Sequence, residues 1–311
     1  MRPPSTARQS TALAVLALVL LSSLAGCSSL ASLGHSGPPA FAPGVTRERV
    51  TNASALAAAD RAVLRNTSYT YSQNFTQRID ADGYHYAVDH DTRVWAAANG
   101  SFLYRHRGVV AGSEHASNRL DDLWSNGSVV VARTVNVDDG TVTYRRYRPP
   151  GPFSAANATW SRVDTTLVGA RVVRTWNDSG REYARVRLNE TRTSRMAAGN
   201  GTPVNATTVR TANVTIREDG FVRSLDSSVS GRRPLPAFAN ASGRTNDSAT
   251  ATGRSLARIH DEAHVRYTAL GATRVPRPAW VDDALAATAD LGFGEETSPR
   301  PANASSLRPR P

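Results

Sequence analysis

From residue 69 onward the chain alternates apolar and polar positions with a period of two, in runs broken by turns that end in glycine. Tyr69, Tyr71 and Phe75 fall on one side of such a run and Thr70, Asn74 and Thr76 on the other, as in a half-buried strand. Asp80-Ala81-Asp82-Gly83 turns the chain into Tyr84, Tyr86 and Val88, running on to Val94-Trp95, and Asn99-Gly100 turns it again into a strand over 102–107. Further hairpins are predicted for 129–137 with 141–147, 172–176 with 182–188, and 209–216 with 221–229, and 256–270 reads as a last strand. Two stretches carry the helical period instead. Thr51 or Asn52 caps a helix with Leu56, Ala59, Val63 and Leu64 on one face, ending near Asn66, and Pro276-Arg277-Pro278 precedes a short helix with Trp280, Ala284 and Leu285. Residues 154–168 read as helix or loop with Trp160 and Leu167 inward; 192–206 and 231–252 read as polar loops. Consecutive hairpins imply antiparallel pairing, so the expected class is α+β, a large antiparallel sheet with one face covered by a few helices.

The N-terminal pattern is of another kind. Residues 1–10 hold Arg2 and Arg8 and no acid, and 12–21 form an unbroken apolar run, the arrangement of a secretory signal. Ser22 and Ser23 end that run well short of the roughly 20 apolar residues a membrane-spanning helix needs. Leu24-Ala25-Gly26-Cys27 follows directly and resembles a lipobox, in which cleavage precedes the cysteine and its thiol receives a lipid. Each buried methylene contributes about 0.8 kcal/mol and a single acyl chain anchors only marginally, so stable attachment takes two chains. Cys27 is the sole cysteine; once acylated it leaves neither a disulfide nor a thiol nucleophile. The expected organisation is a signal peptide over 1–26, a Ser/Gly/Pro tether over 27–48, a folded domain over 49–290 and a disordered Pro, Ser and Arg tail over 291–311.

Composition changes this picture in two ways. All 37 basic residues are arginine, and the formal net charge is +11. Such a charge suits nucleic acid, a membrane surface or an anionic polymer. Export argues against nucleic acid, and the arginines (Arg145, Arg146, Arg148; Arg171, Arg174; Arg185, Arg187; Arg232, Arg233) lack the interleaved aromatics that stack bases. Solvated arginines on outward strand faces account for the pattern, with an anionic membrane or envelope layer as the partner they would suit. The second change comes from asparagine. Fourteen of the sixteen lie in Asn-x-Ser/Thr: Asn52, Asn66, Asn74, Asn99, Asn126, Asn157, Asn177, Asn189, Asn200, Asn205, Asn213, Asn240, Asn246 and Asn303. Chance would give roughly three. Turn chemistry explains Asn99, Asn126 and Asn177, but not Asn74, Asn189 or Asn213 in strand-like runs. Glycosylation is chemistry of the exported side, and every occupied asparagine must then face solvent.

Several short motifs occur in a telling order: Ala42-Pro43-Gly44-Val45, the helix over 53–65, Ser68-Tyr69-Thr70, then Tyr267 with Gly271-Ala272-Thr273 and Pro278-Ala279-Trp280-Val281. Over most of residues 42–287 the chain thereby resembles a family of haloarchaeal lipoproteins. Such proteins are similar in architecture to carriers of the LolA and LppX type, a strongly curved antiparallel half-barrel closed by helices on its concave face over an apolar cavity. The resemblance implies a lipid-binding or lipoprotein-binding role. The stripe Tyr69, Tyr71, Phe75, Tyr84 and Tyr86 is then the candidate cavity lining, against the competing reading of an ordinary core.

Catalytic chemistry is harder to find. His260-Asp261-Glu262-Ala263-His264 places two histidines four apart, which on a helix could chelate zinc. A zincin needs Glu after the first histidine, where this chain has Asp261, and on a strand the two imidazoles lie too far apart. His85, Asp89, His90 and Asp91 cluster similarly and read as surface residues. There is no Gly-x-Ser-x-Gly elbow and no phosphate-cradling glycine loop. The expectation is a non-enzymatic, outward-facing lipoprotein on the cell membrane, without metal or cofactor, that binds a lipid or other apolar ligand. The alternative is a structural or interaction protein of the cell envelope with no ligand cavity.

Overall fold

A computed structural model of the protein describes residues 40–81, 84–112, 116–149, 167–197, 203–234 and 256–301. The signal segment, Cys27, Trp160 and the sequon residues Asn157, Asn200, Asn240, Asn246 and Asn303 lie outside the described residues. A short pair, β1 (Ala40–Ala42) and β2 (Val45–Thr46), leads into helix α1 (Ala53–Arg65). A first meander follows with β3 (Tyr69–Ala81), β4 (Tyr84–Ala96), β5 (Phe102–Gly112), β6 (Ser117–Ser125), β7 (Val130–Asn136) and β8 (Thr141–Tyr147). A second runs through β9 (Arg171–Asp178), β10 (Arg181–Ala197), β11 (Pro203–Arg217), β12 (Val222–Pro234) and β13 (Leu256–Thr268), before helix α2 (Trp280–Ala287) and β14 (Arg300–Pro301).

The last strand of the second meander pairs with the first strand of the first, Tyr267 opposite Tyr71 and Ile259 opposite Ile79. One twelve-stranded antiparallel sheet results, in the order β14-β8-β7-β6-β5-β4-β3-β13-β12-β11-β10-β9. It is open, with β14 and β9 at its edges, and the expected α+β class holds.

The sheet is curved because its apolar positions share one helix. Asn52 caps α1, its carboxamide oxygen accepting from Ala55 N–H at 3.0 Å, and the helix buries Leu56, Ala57 and Leu64. These join one core cluster with Tyr69 and Tyr71 of β3, Phe102 of β5, Val130 of β7, Val186 of β10, Val214 of β11 and Leu225 of β12. A flat sheet would hold β7 and β10 about 38 Å apart, whereas a 13-residue helix is about 20 Å long. The sheet therefore wraps the helix, and α1 marks its concave face. Gly220, in the turn between β11 and β12, permits the close approach: it has φ +89°, and a Cβ there would stand 2.6 Å from Ala59 Cβ.

The second helix departs from the expectation that the helices share the concave face. On α2, Trp280, Val281 and Ala284 pack against Leu103, Trp124, Val131, Val135, Val142 and Tyr144. Those residues alternate along β5, β6 and β7 with Phe102, Leu123 and Val130, which face α1, so α2 lies on the convex side. Beneath it Arg133 and Asp122 form a buried ion pair at 2.5 Å, with the guanidinium 5.2 Å from the Trp280 ring centre.

Several boundaries are corrected. Residues 40–48 belong to the folded body and not to a tether: Phe41, Ala42 and Val45 are buried in the main core. The adjoining segment also covers the outer edge of β9, Val50 N–H donating to Ala170 O at 2.9 Å and Val172 N–H to Glu48 O at 2.7 Å. At the other end, 291–301 is fixed where disorder is expected from composition. Gly294 N–H donates to Arg146 O at 2.8 Å and Thr297 N–H to Tyr144 O at 2.9 Å, and β14 pairs with Thr141 and Val142. An exposed strand edge offers unmet backbone groups, and this Pro-rich segment meets those of β8. Parts of the polar stretches 192–206 and 231–252 are strand, since β10 runs to Ala197, β11 starts at Pro203 and β12 reaches Pro234; 198–202 and 235–252 lie outside the described residues. β6 has no clear period in the sequence, because Asp121 and Asp122 occupy both of its faces.

Candidate functional site: the concave trough

Register lays the concave face out in rows running from the α1 end. Tyr267, Tyr71, Val94, Tyr104 and Leu123 stand side by side across β13, β3, β4, β5 and β6. The next row is Val265, Gln73, Thr92, His106, Asp121 and Thr134; after it come Ala263, Phe75, His90, Gly108 and Arg119. Beyond these lie Asp261, Gln77, Val88 and Val110, then Ile259, Ile79 and Tyr86, with Tyr84 at the far end. The face thus has an apolar end under α1, a polar belt in the middle, and a second apolar cluster of Ile79, Ala257 and Ile259 with Tyr84, Tyr86 and Val229 packed against it.

The belt is tied together by hydrogen bonds. Thr92 Oγ1 lies 3.0 Å from His106 Nδ1, Tyr71 Oη donates to Gln73 Oε1 at 2.6 Å, and Thr134 Oγ1 donates to Asp121 Oδ1 at 2.7 Å. The His90 and His106 rings meet edge to face with centres 4.8 Å apart, and Phe75 stands 6.0 Å from His90 on its other side. Burial pulls the His106 imidazole below its ordinary pKa, with Asp121 opposing. Burial, reinforced by Asp121, pushes the Tyr104 phenol up to about 12, against a lowering hydrogen bond to Thr92. Both groups are therefore neutral near neutral pH. Gln73, Phe75, His90, His106 and Gly108 are half-buried, so the belt meets solvent.

Of the predicted lining residues, Tyr69 and Tyr71 are fully buried and interlock with Tyr267 at ring separations of 5.7 and 5.1 Å. They fill the α1 end as core. Phe75 sits in the belt, and Tyr84 and Tyr86 stack at 6.4 Å in the far cluster. The stripe shares one face, as its spacing predicts, but serves three environments. His106, Gly108, Thr92, Tyr104 and Asp121 were not legible as a group in the strand pattern alone. The Asn99-Gly100 turn carried the signal, because counting back equally along both strands from it sets Thr92 opposite His106 and His90 opposite Gly108.

The other candidate clusters disperse. β13 carries His260, Glu262 and His264 on the convex face, where His264 Nδ1 meets Asp226 Oδ1 at 2.9 Å and His260 Nε2 meets Glu262 Oε1 at 3.1 Å, while Asp261 faces the trough and accepts from Gln77 Nε2 at 2.9 Å. His90 points into the trough, whereas His85, Asp89 and Asp91 occupy the opposite parity on β4. Among the described residues no group of three or more His, Cys, Asp or Glu converges as metal ligands would, and no helix is long and apolar enough to cross a membrane. The described sequon residues Asn52, Asn66, Asn74, Asn99, Asn126, Asn177, Asn189, Asn205 and Asn213 are all exposed. Asn74, Asn189, Asn205 and Asn213 stand on convex positions of β3, β10 and β11.

Outside the trough, an open depression of about 840 Å³ lies beside α1, lined by Ala59, Val63, Asn66, Arg181, Arg217 and Leu270 among others. Its charges are largely spent internally, with Arg217 held 2.6 Å from Asp219 and stacked 4.9 Å over Phe221. Nearby, Asp60 is fully buried: its Oδ1 accepts from Val222 N–H at 2.6 Å and its Oδ2 has no partner. Desolvation raises its pKa from 3.8 to about 8, with Asp219 adding to the rise and Val222, Arg217 and Arg61 opposing it.

No family model and no curated protein matches the sequence. Among solved structures, the chain is similar to a DUF1329 family protein from Desulfovibrio piger, at 9% identity and a TM-score of 0.21, covering 73% of this chain and 94% of that one. It is also similar to a β-barrel-like DUF1849 protein from Brucella abortus, at 9% identity and a TM-score of 0.20, covering 68% of this chain and 98% of that one. At such TM-scores neither likeness carries an argument about the site.

Proposed function

We propose that this protein is a lipid-anchored, outward-facing binding protein of the cell membrane, of the haloarchaeal lipoprotein kind, that holds a lipid or other apolar ligand in its concave trough without catalysing a reaction. One observation carries the reading. α1 covers only one end of the concave face, so that half-buried Gln73, Phe75, Gln77, His90, His106 and Gly108 form a belt between it and a second apolar cluster at the far end. Pockets of this kind, largely apolar with a few convergent polar groups, are typical of small-molecule sites. Cys27 supplies the attachment, and the exposed sequon asparagines suit a glycosylated surface.

Native mass spectrometry of the full chain, expressed with its signal and purified without detergent, tests the reading. A non-protein mass that organic extraction removes is the expected result; an unliganded mass in every preparation would refute it. The arginine-bearing convex face and the filled core of Tyr69, Tyr71, Phe221 and Tyr267 favour a second reading, an envelope interaction protein with an anionic partner and no ligand. That reading predicts salt-dependent retention of a Cys27→Ser variant in the envelope fraction.

A further inference from the structure

The outer corner of the convex face, where β9 pairs with β10, collects arginines that nothing in the fold neutralises. Arg185 and Arg187 alternate along β10 with Ala184, Val186 and Leu188, which face the main core, so both point away from α1. Arg174 stands opposite Arg185 and Arg171 opposite Arg187, and Arg49 of the covering segment faces Arg171 in turn. All five are exposed. Like charges directly opposite one another destabilise a sheet. Where such a pair occurs elsewhere it is neutralised: Arg93 faces Arg105, but Asp91 lies 3.8 Å from the first and Asp122 3.1 Å from the second. Here the acids of both strands are held by other arginines, Asp178 by Arg223, Glu182 by Arg47 and Glu190 by Arg192, and among the described residues none of the five forms an ion pair. Trp176 and Tyr183 stack beside them at 5.6 Å, with the Arg174 and Arg185 guanidiniums 5.7 and 6.0 Å from the indole ring centre. A shift of register leaves Val173 as an extra residue of β9, 49% exposed.

We infer that this corner is a docking surface for anionic phospholipid headgroups, laying the folded domain against the membrane to which Cys27 ties it. The inference rests on the lipid anchoring proposed above and names the surface that completes it. Guanidinium forks match phosphate oxygens in pairs, and indole and phenol rings suit the headgroup level of a bilayer. The corner is also placed for the task. Ala42 pairs with Val45 and Val45 with Val50, so the chain arriving from Cys27 enters the folded body next to Arg49. Each arginine brought near an anionic surface strengthens binding by about fivefold. Asn189 and Asn213 border the patch on the same face, and Arg187 Nε donates to Asn213 Oδ1 at 3.2 Å. Glycans on these two asparagines would stand the arginines off the headgroups, so both sequons are left unoccupied.

The test uses the lipid-anchored chain as isolated from membranes, reconstituted into phosphatidylcholine vesicles with or without phosphatidylglycerol, treated with phenylglyoxal and mapped by peptide mass. Arg171, Arg174, Arg185 and Arg187 should react about fivefold or more slowly on the anionic vesicles, while Arg107 and Arg258, exposed elsewhere on the convex face, keep their rates. High salt should remove the difference. Phosphatidylglycerol should also raise the thermal midpoint of the wild type; Arg171→Gln with Arg185→Gln should at least match the wild-type midpoint on neutral vesicles and lose that rise. Equal reactivity on both vesicles, a variant that keeps the rise, or glycopeptides at Asn189 or Asn213 would overturn the patch while the anchor stands. Protection in native envelopes but on neither vesicle would overturn it too, assigning the arginines to an acidic protein. A chain that leaves the vesicles once detergent is removed would overturn both patch and anchor.

Discussion

Replacing Asp60 with asparagine tests how α1 is held to the sheet. The carboxyl is fully buried against the turn from β11 to β12 and keeps one hydrogen bond, from Val222 N–H. Below about pH 4 it is protonated in the folded and unfolded chains alike, and its full contribution is present. As pH rises the unfolded chain releases this proton near 3.8 while the folded chain holds it to about 8. Folding therefore takes up a proton in that window, and stability falls by up to about 1.4 kcal/mol per pH unit until the folded group ionises. The total is on the order of 5 kcal/mol, an appreciable share of a typical domain's stability. Asparagine keeps the oxygen that accepts from Val222 and cannot ionise. Its buried amide carries a cost of about 1–3 kcal/mol, similar to that of the unpartnered protonated carboxyl it replaces. Guanidinium titrations of wild type and Asp60→Asn should give nearly equal stabilities near pH 4.5 and a variant several kcal/mol more stable by pH 8. His106 titrates in the same range with the opposite sign: its pKa is lowered on folding, so stability is lost as pH falls below about 6.5. That contribution is common to both proteins and cancels in their difference. A difference that stays constant from pH 4.5 to pH 8 would refute the assignment.

Three further outcomes follow from the packing. Phe41→Ala should destabilise by about 3–5 kcal/mol in the same titrations, since the ring is buried in the main core, whereas a tether would leave the midpoint unchanged. Asp122→Ala should cost about 3–5 kcal/mol by removing the carboxylate that buried Arg133 faces beneath α2, and adding Arg133→Met should recover most of it. The role of the C-terminal segment is read by comparing chains that end after Pro301 and after Leu291. The shorter chain should have a thermal midpoint several degrees below the longer and associate more, because the backbone edge of β8 is then uncovered.

The hairpins around Asn99-Gly100, Asp138-Asp139-Gly140 and Asp219-Gly220 were legible because turn type and period-two alternation are local properties, and so was α1, whose cap and apolar face lie within its own residues. The outer part of the β10–β11 ladder, from the Arg192–Thr208 pair to the Ala197–Pro203 pair, was not, because its Thr, Ser and Arg residues are stabilised mainly by pairing across strands. Likewise 40–48 and 291–301 look like linker in composition, yet few apolar side chains and a handful of backbone bonds suffice to fix them once an unpaired edge stands beside them.

By itself the sequence determined the strand-rich α+β class, the inward side of β3, and the placement of Asn74 on that strand's polar face. Those are matters of alternation and turn chemistry, read over a few residues at a time. Only the tertiary structure decided that β13 joins β3 to merge two meanders, that the sheet bends round α1 while α2 covers its back, and that the His90 and His106 rings meet beside Gly108. These depend on which distant strands pair and how far the sheet curves, and no local spacing contains that information.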